Sequence, residues 1–249
     1  MSRPLPHYYS KLAPFRSLFP TGSPILTYHH VGPRARGVRL KGLYVSPKLF
    51  AAQMAELARA EFISASLDDL DVKRTGSRRI FITFDDGFPD VLEHALPVLR
   101  QHRFTSIQFL VSDLLGKTNE WQQAVGDVLE PLMNEHQIRE WLAAGQQIGS
   151  HTRTHPRLTQ LSATAAREEV FGSKKALEDR FGLPIRHFCY PYGDWNESVR
   201  ELVQEAGYQT ACTTKTAINL ADTPPFELSR FTARYPSRNI KEIWSRLFS

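Results

Sequence analysis

Ile80-Phe81-Ile82-Thr83-Phe84-Asp85-Asp86-Gly87 is the stretch on which the fold turns. Four of its first five residues are large and apolar, and the β-branched Thr83 suits a strand equally well. A short continuous run of this kind reads as a strand buried on both faces, the pattern of a parallel sheet. It breaks off in two adjacent carboxylates and a glycine. Ligands of parallel α/β folds gather at the carboxyl ends of the strands. Successive strand residues point to opposite faces, so both aspartates reach one site only if the chain turns there, which Gly87 permits. One carboxylate on a metal ion and one beside it as a base would begin a hydrolase.

The same pattern recurs on either side. Ile25-Leu26-Thr27-Tyr28 is a short strand running into His29-His30-Val31-Gly32. Ser46-Pro47 opens a helix, with serine as cap and proline in the first turn, and Phe50, Met54 and Leu57 form its apolar stripe. Phe62 to Leu67 reads as a strand. Pro89 to Gln101 reads as a helix kinked at Pro97, and Thr105 to Val111 as a further buried strand. The stretch from Ser112 to Met133 carries Trp121 but no clean period, and a connection of that length reads as a rim or lid.

Asn134 and Gln137 have capping-box spacing, with Gly145 closing that helix. Gln147 to Ser150 is a brief strand entering His151, and a helix runs from Ser162 to Gly182. Arg186 to Tyr190 is a strand ending in Pro191-Tyr192-Gly193. Asn196 caps another helix that closes at Gly207, Tyr208 to Thr213 is a strand, and Phe226 to Tyr235 contains one more. Ile240 to Phe248 is amphipathic and helical in period. Strands alternating with helices, with reactive groups at the strand ends, argue a parallel α/β barrel. No repeat or linker divides it. The expectation is a Pro-rich arm over 1–22 lying on a single barrel domain over 23–249.

Composition is that of an ordinary globular protein: 249 residues, 41% hydrophobic, 23% charged. The net charge of +5 is spread out except at Arg34, Arg36, Arg39 and Lys41. Nucleic-acid binding would want a concentrated basic face with stacking aromatics, so it is not expected. That basic loop reads as a solvated tip or, more sharply, as a rim attracting an anionic glycan or a phosphate-bearing carrier. Cys189 and Cys212 supply neither a disulfide framework nor a cysteine zinc site. Met1 to Pro20 holds no secretory signal and no segment is apolar enough to span a membrane. The expectation is a cytoplasmic chain, exported only if its start has been trimmed, with peripheral membrane association left open and the oligomeric state unassigned.

His151-Thr152-Arg153-Thr154-His155-Pro156 follows a strand end as Asp85-Asp86 does. Histidines four apart can meet one metal from a helical turn or a tight loop. With one aspartate they make a three-ligand set that leaves positions open, as a catalytic divalent site requires. Zinc fits this set, and nickel, cobalt or iron can occupy it.

Thr83-Phe-Asp-Asp-Gly87, His151-Thr-Arg-Thr-His-Pro156 and Phe188-Cys-Tyr-Pro-Tyr-Gly193 together resemble the polysaccharide deacetylase (NodB-homology) family, carbohydrate esterases of the fourth family. The Tyr28-His29 strand is similar to that of the biofilm poly-N-acetylglucosamine deacetylases. The resemblance implies a deformed (β/α) barrel and spans Pro24 to Tyr235. It implies that Asp85 is the general base and that Asp86, His151 and His155 hold the ion, with nothing firm for Thr152. It further implies that the Tyr192 backbone N–H, fixed by Pro191 and Gly193, receives the oxyanion.

Two departures stand out. Where the family places an arginine that orients the base, this chain has Cys189, and Arg230 on a late strand is the candidate replacement. The family's late histidine acid is missing, so His29 is expected to protonate the leaving amine, with His30 in reserve. Trp195 and Trp121 are candidates for stacking on sugar faces, although packing is the plainer reading of both. Asp194 is a rim hydrogen-bond acceptor or a turn residue before the Asn196 cap.

The function so implied is metal-dependent removal of acetyl groups from N-acetylated sugars in a polymer, oligomer or lipid-linked unit. An O-acetyl esterase, a small-molecule amidase and a catalytically silent carbohydrate-binding relative are the alternatives.

Overall fold

A computed structural model describes residues 6, 8–70 and 77–235, so the helix expected over 240–248 lies outside the described residues. The strands in chain order are β1 Ile25–Tyr28, β2 His30–Val31, β3 Tyr44–Val45, β4 Ile63–Ser64 and β5 Arg79–Phe84. They continue as β6 Ile107–Leu110, β7 Gln147–Ser150, β8 His187–Cys189, β9 Thr210–Cys212 and β10 Phe231–Thr232. The main sheet has the order β10-β1-β5-β6-β7-β8-β9, with β4 on the start of β5. Every pairing in it is parallel.

The sheet curls into a half-barrel with helices around it. Leu228 bridges to Cys212 at the end of β9, and three residues later Phe231 pairs with Leu26 of β1. The segment 228–232 therefore reaches from one end of the strand series to the other.

Strand alternation sorts the apolar residues into two cores. Ile25, Phe81, Ile107, Phe109, Cys189, Cys212 and Leu228 form one cluster on the inner face. Leu26, Tyr28, Ile80, Ile82, Phe84, Phe188 and Ala211 point the other way and join the helices in the larger cluster. This is the period-2 rule acting on strands buried on both sides. Gly149 of β7 sits opposite Phe109, and a Cβ there would lie 2.7 Å from the phenyl ring.

The helices are α1 Pro47–Arg59, α2 Leu96–His102, α3 Glu135–Ala143, α4 Ala163–Phe181 and α5 Glu197–Glu205. Ser46, Ser162 and Asn196 cap α1, α4 and α5 as the sequence predicts, and Asn134 with Gln137 forms the full capping box of α3. The kink expected at Pro97 is realised one turn earlier, as a π-helical turn over Val91–Ala95 that leads into α2. That placement puts Pro97 in the first turn of α2, where its missing N–H is tolerated. The strand expected over Phe62 to Leu67 is confined to two residues.

The N-terminal segment is more than a surface arm. Tyr9 bridges to Ala233, and Leu12, Phe15 and Phe19 are fully buried in the larger core. Phe19 stacks with Tyr9 and Phe15 and meets Phe62 and Phe231. Phe19→Ala is therefore expected to lower unfolding free energy by about 3–5 kcal/mol in urea denaturation. Ile63→Ala, at a side chain 62% exposed, should stay within about 0.5 kcal/mol. A Phe19 loss no larger than that of Ile63 would mean the segment decorates the barrel without supporting it.

Candidate active site

Asp85 and Asp86 follow β5 directly, at its carboxyl end. Asp85 continues the inner-face column of Phe81 and Thr83. Asp86 would face outward were it not for its own backbone, which takes φ +76° ahead of Gly87 at +92°. The turn expected of the glycine thus begins on the aspartate. Both carboxylates are buried, 4% and 6% exposed in their side chains.

The two have different partners. Arg230 is fully buried and holds Asp85 in a fork, Nη1 donating to Oδ1 at 2.7 Å and Nη2 to Oδ2 at 2.8 Å. Its remaining donors reach the Thr27 and Thr83 hydroxyls and the Thr213 carbonyl. Cys189 Sγ lies 3.1 Å from Nη2, so the small thiol stands beside the guanidinium that enters from the late segment. Burial pushes the Asp85 carboxyl up, but the charge and hydrogen bonds of Arg230 outweigh it and hold the group below the usual carboxylate range. The orienting cation expected at Arg230 is therefore on the base candidate.

Asp86 faces imidazoles instead. His151 Nε2 and His155 Nε2 each lie 3.4 Å from its Oδ1, and that oxygen has no hydrogen-bond partner among the described residues. Nδ1 of His151 donates to the Cys189 carbonyl at 2.7 Å, so in its neutral form the imidazole turns its Nε2 lone pair toward the aspartate. A carboxylate oxygen and an imidazole lone pair facing each other across 3.4 Å repel unless a cation lies between them. An ion with tetrahedral ligands at about 2.1 Å holds its donor atoms about 3.4 Å apart. The set fits a divalent metal ion.

Electrostatics agree with that fit. Burial pushes Asp86 up, but the facing imidazoles hold it well below the carboxylate range. Burial pulls His151 down, yet Cys189 and Asp86 raise it well above the ordinary histidine value, so this corner attracts positive charge. His155 is lowered, chiefly by burial.

The pair of histidines comes from a tight loop, not a helical turn. Thr152 and His155 have φ +68° and +66°, and the Thr152 hydroxyl accepts from the His155 N–H. Together with Asp86 and Tyr192 (φ +60°) they make four of the six non-glycine residues at positive φ among the described residues. Strained backbone thus gathers around this centre, at about 1–3 kcal/mol per residue.

His29 and His30 part company. His29 Nε2 is 3.8 Å from Asp85 Oδ2, and its side chain keeps 19% exposure toward the site. Burial lowers its pKa, against the opposing pull of Asp86 and Asp85. His30 turns away: Nδ1 lies 2.9 Å from Asp90, Nε2 3.4 Å from Glu130, and its ring stacks between Tyr44 and Phe88. Of the two candidates, only His29 meets the aspartates.

The other sequence candidates are distributed around the rim. Trp121 stacks on His155 at 4.4 Å between ring centroids, buttressing that imidazole from the long 112–133 segment. Trp195 packs on Tyr190 and the outer core. Asp194 accepts from the Thr159 N–H and hydroxyl, tying two loops together. Pro191 is buried in the turn, and Tyr192 is 42% exposed with its ring edge-on to His155. In the basic loop, Arg39 donates to the Val125 carbonyl and Arg34 lies over Tyr235.

Sequence reasoning missed Thr27, the Cys189 carbonyl, and the Asp90 and Glu130 carboxylates on His30. A signal existed for the threonine: Thr27 and Thr83 interrupt two apolar strands at the same place, and they pair in register.

A parallel half-barrel with a carboxylate–imidazole centre beside an arginine-held aspartate defines a barrel hydrolase. Residues 72–211, more than half of the chain, match the family model of polysaccharide deacetylases. The chain belongs to that family.

YxkH of Bacillus subtilis is 27% identical over 216 residues, covering 85% of this chain and 71% of that protein. A chitooligosaccharide deacetylase of a Bradyrhizobium species is 30% identical over 140 residues, covering 53% of this chain. The chain spans about half the length of that relative, 54%. Among solved structures, a polysaccharide deacetylase from Bacillus cereus superposes with a TM-score of 0.73 at 26% identity, covering 90% of this chain and 68% of that one. IcaB from Ammonifex degensii matches in fold, with a TM-score of 0.73 at 22% identity over 91% and 95% of the two chains.

The Arg230–Asp85 pair has a measurable signature. Arg230→Ala leaves a buried uncompensated carboxylate and is expected to cost about 3–5 kcal/mol near neutral pH. The Asp85 pKa is depressed, so its contribution is complete above the unfolded carboxylate value of about 3.9 and is lost as pH falls through the folded one. The stability gap between wild type and variant should therefore be widest near neutrality and shrink in acid. Denaturant titrations across that range test it, and a gap that widens in acid would contradict the assignment.

Proposed function

We propose that this protein is a metal-dependent hydrolase that removes acetyl groups from N-acetylated sugars. The observation that carries the reading is the pairing of two adjacent aspartates with opposite surroundings, one in an arginine fork and one facing two imidazole nitrogens. Asp86, His151 and His155 would hold a divalent ion, for which zinc suits the donor set. When bound, such an ion polarises the amide carbonyl and lowers the pKa of water from about 15.7 to around 7.

The chain's own residues do the rest. Asp85 stays ionised because Arg230 holds it, and it takes the proton of the attacking water. The fork fixes the plane of the carboxylate, so it is presented without reorganisation. Tyr192, held at positive φ by the Pro191–Gly193 turn, offers its backbone N–H to the developing oxyanion. His29, with Nε2 3.8 Å from Asp85 Oδ2 and its ring open to the site, would pass to the leaving amine the proton that Asp85 takes from water, since an amide nitrogen departs poorly as an anion. Thr152 and Trp121 keep His155 in place, and the Cys189 carbonyl orients His151.

Acetate release from N-acetylglucosamine oligomers by metal-reconstituted protein tests the reading. Release should fall by about 10²–10⁴-fold in Asp85→Asn and disappear on chelation. Release unchanged by both treatments, or found only with O-acetylated sugars, would replace it. His29→Ala should lower kcat by a similar factor of about 10²–10⁴ and leave the melting temperature near wild type. His30→Ala should instead lower the melting temperature, because it leaves Asp90 and Glu130 without their partner. The reverse pattern would exchange the roles of the two histidines.

A further inference from the structure

We propose that Arg157 determines specificity by binding an anionic substituent, a carboxylate or a phosphate, on the glycan that enters the site. This rests on the deacetylase reading above and adds the substrate's charge to it. Arg157 is exposed, and its guanidinium carbon lies 4.3 Å from the centre of the Tyr192 ring. That ring in turn meets His155 at 4.6 Å. A single tyrosine thus separates the guanidinium from a residue of the metal-ligand set, a separation within the span of a short saccharide.

The arrangement is built rather than incidental. Arg157 follows His155-Pro156 directly and precedes the short turn Leu158–Gln160. Thr159 of that turn donates to Asp194 from both N–H and hydroxyl, which staples it to the Pro191–Gly193 loop carrying Tyr192. That loop is itself fixed, because Gly193 has φ +68° and a Cβ there would come within 2.1 Å of the Thr214 hydroxyl. The backbones that carry the two partners of the stack are thereby tied to each other.

Its charge is also free. Several other surface arginines are paired, Arg153 with Asp113, Arg167 with Glu205, Arg186 with Asp68 and Arg200 with Glu227. Arg157 has no ion-pair partner among the described residues. A guanidinium placed over a ring face keeps donors for a planar or tetrahedral anion, and the contact lowers the entropy lost on binding. The basic loop at 34–41 had suggested an anionic ligand. The cation at the ligand histidine's own neighbour is Arg157.

The test uses metal-reconstituted protein and three N-acetylglucosamine oligomers of equal length: neutral, carboxylated and phosphorylated. Wild type should show kcat/KM about tenfold higher for a charged oligomer than for the neutral one, carried by KM. In Arg157→Gln that ratio should collapse to near one, and Arg157→Lys, which keeps charge but not the planar stack, should fall between. The carboxylated and phosphorylated arms say which anion is favoured. A ratio near one in wild type, or one unchanged in Arg157→Gln, overturns the proposal.

Equilibrium binding of the same oligomers to Asp85→Asn protein, with and without Arg157→Gln, separates the two readings. Absence of turnover with charge-selective binding that Arg157→Gln abolishes would remove the hydrolase and keep the anion subsite. Equal affinity for all three oligomers would remove the subsite, whatever the turnover.

Discussion

A guanidinium and a carboxylate share the interior of a barrel otherwise lined by Phe81, Phe109, Ile25 and two thiols. Neither charge could stand there alone, since an isolated buried ion is several kcal/mol out of balance. The fork offsets that penalty and satisfies the oxygens of Asp85 at the same time. It also decides which aspartate is available for a metal. Asp85 has both oxygens engaged by Arg230, whereas Asp86 has one turned to imidazoles and unpartnered. Two identical side chains, adjacent in sequence, are separated in role by what surrounds them.

The pair also links distant parts of the chain. Arg230 lies between Leu228, which bridges to β9, and Phe231, which pairs with β1. The segment that spans the two ends of the strand series is therefore the one that delivers the cation. Thr27 and Thr83 complete its coordination from β1 and β5, in register. Cys189 fits the same logic. A thiol on the inner face of β8 is small and weakly polar, so a guanidinium arriving from elsewhere can lie against it.

Strain is concentrated where the chemistry would be. Asp86, Thr152, His155 and Tyr192 all adopt left-handed backbone, and each belongs to a loop leaving a strand end. Extended continuation would have pointed some of these side chains away from the centre. The sheet supplies rigid starting points, and the strained turns re-aim the last residue or two. His29 and His30 need no left-handed backbone: at the bend between β1 and β2 they face different ways, one to Asp85 and one into the Tyr44–Phe88 stack.

The sequence by itself determined the strand that ends in Asp85-Asp86, the caps of the helices, the alternation that implies a parallel barrel, and the grouping of two histidines with one aspartate at strand ends. Each of these is written in local pattern: period, capping spacing, and motif. Arg230 was visible only as a substitute for a missing arginine, because nothing in local sequence says that position 230 and position 85 meet. The division of labour between Asp85 and Asp86 was legible only through the family resemblance. The resemblance put His29 ahead of His30, but the placing of His29 beside Asp85, of His30 between Asp90 and Glu130, and of Arg157 on Tyr192 needed the tertiary structure. These depend on which side chains from remote segments share a few ångströms of buried space, and burial in a shared space is a property of the packed chain, not of any stretch of it.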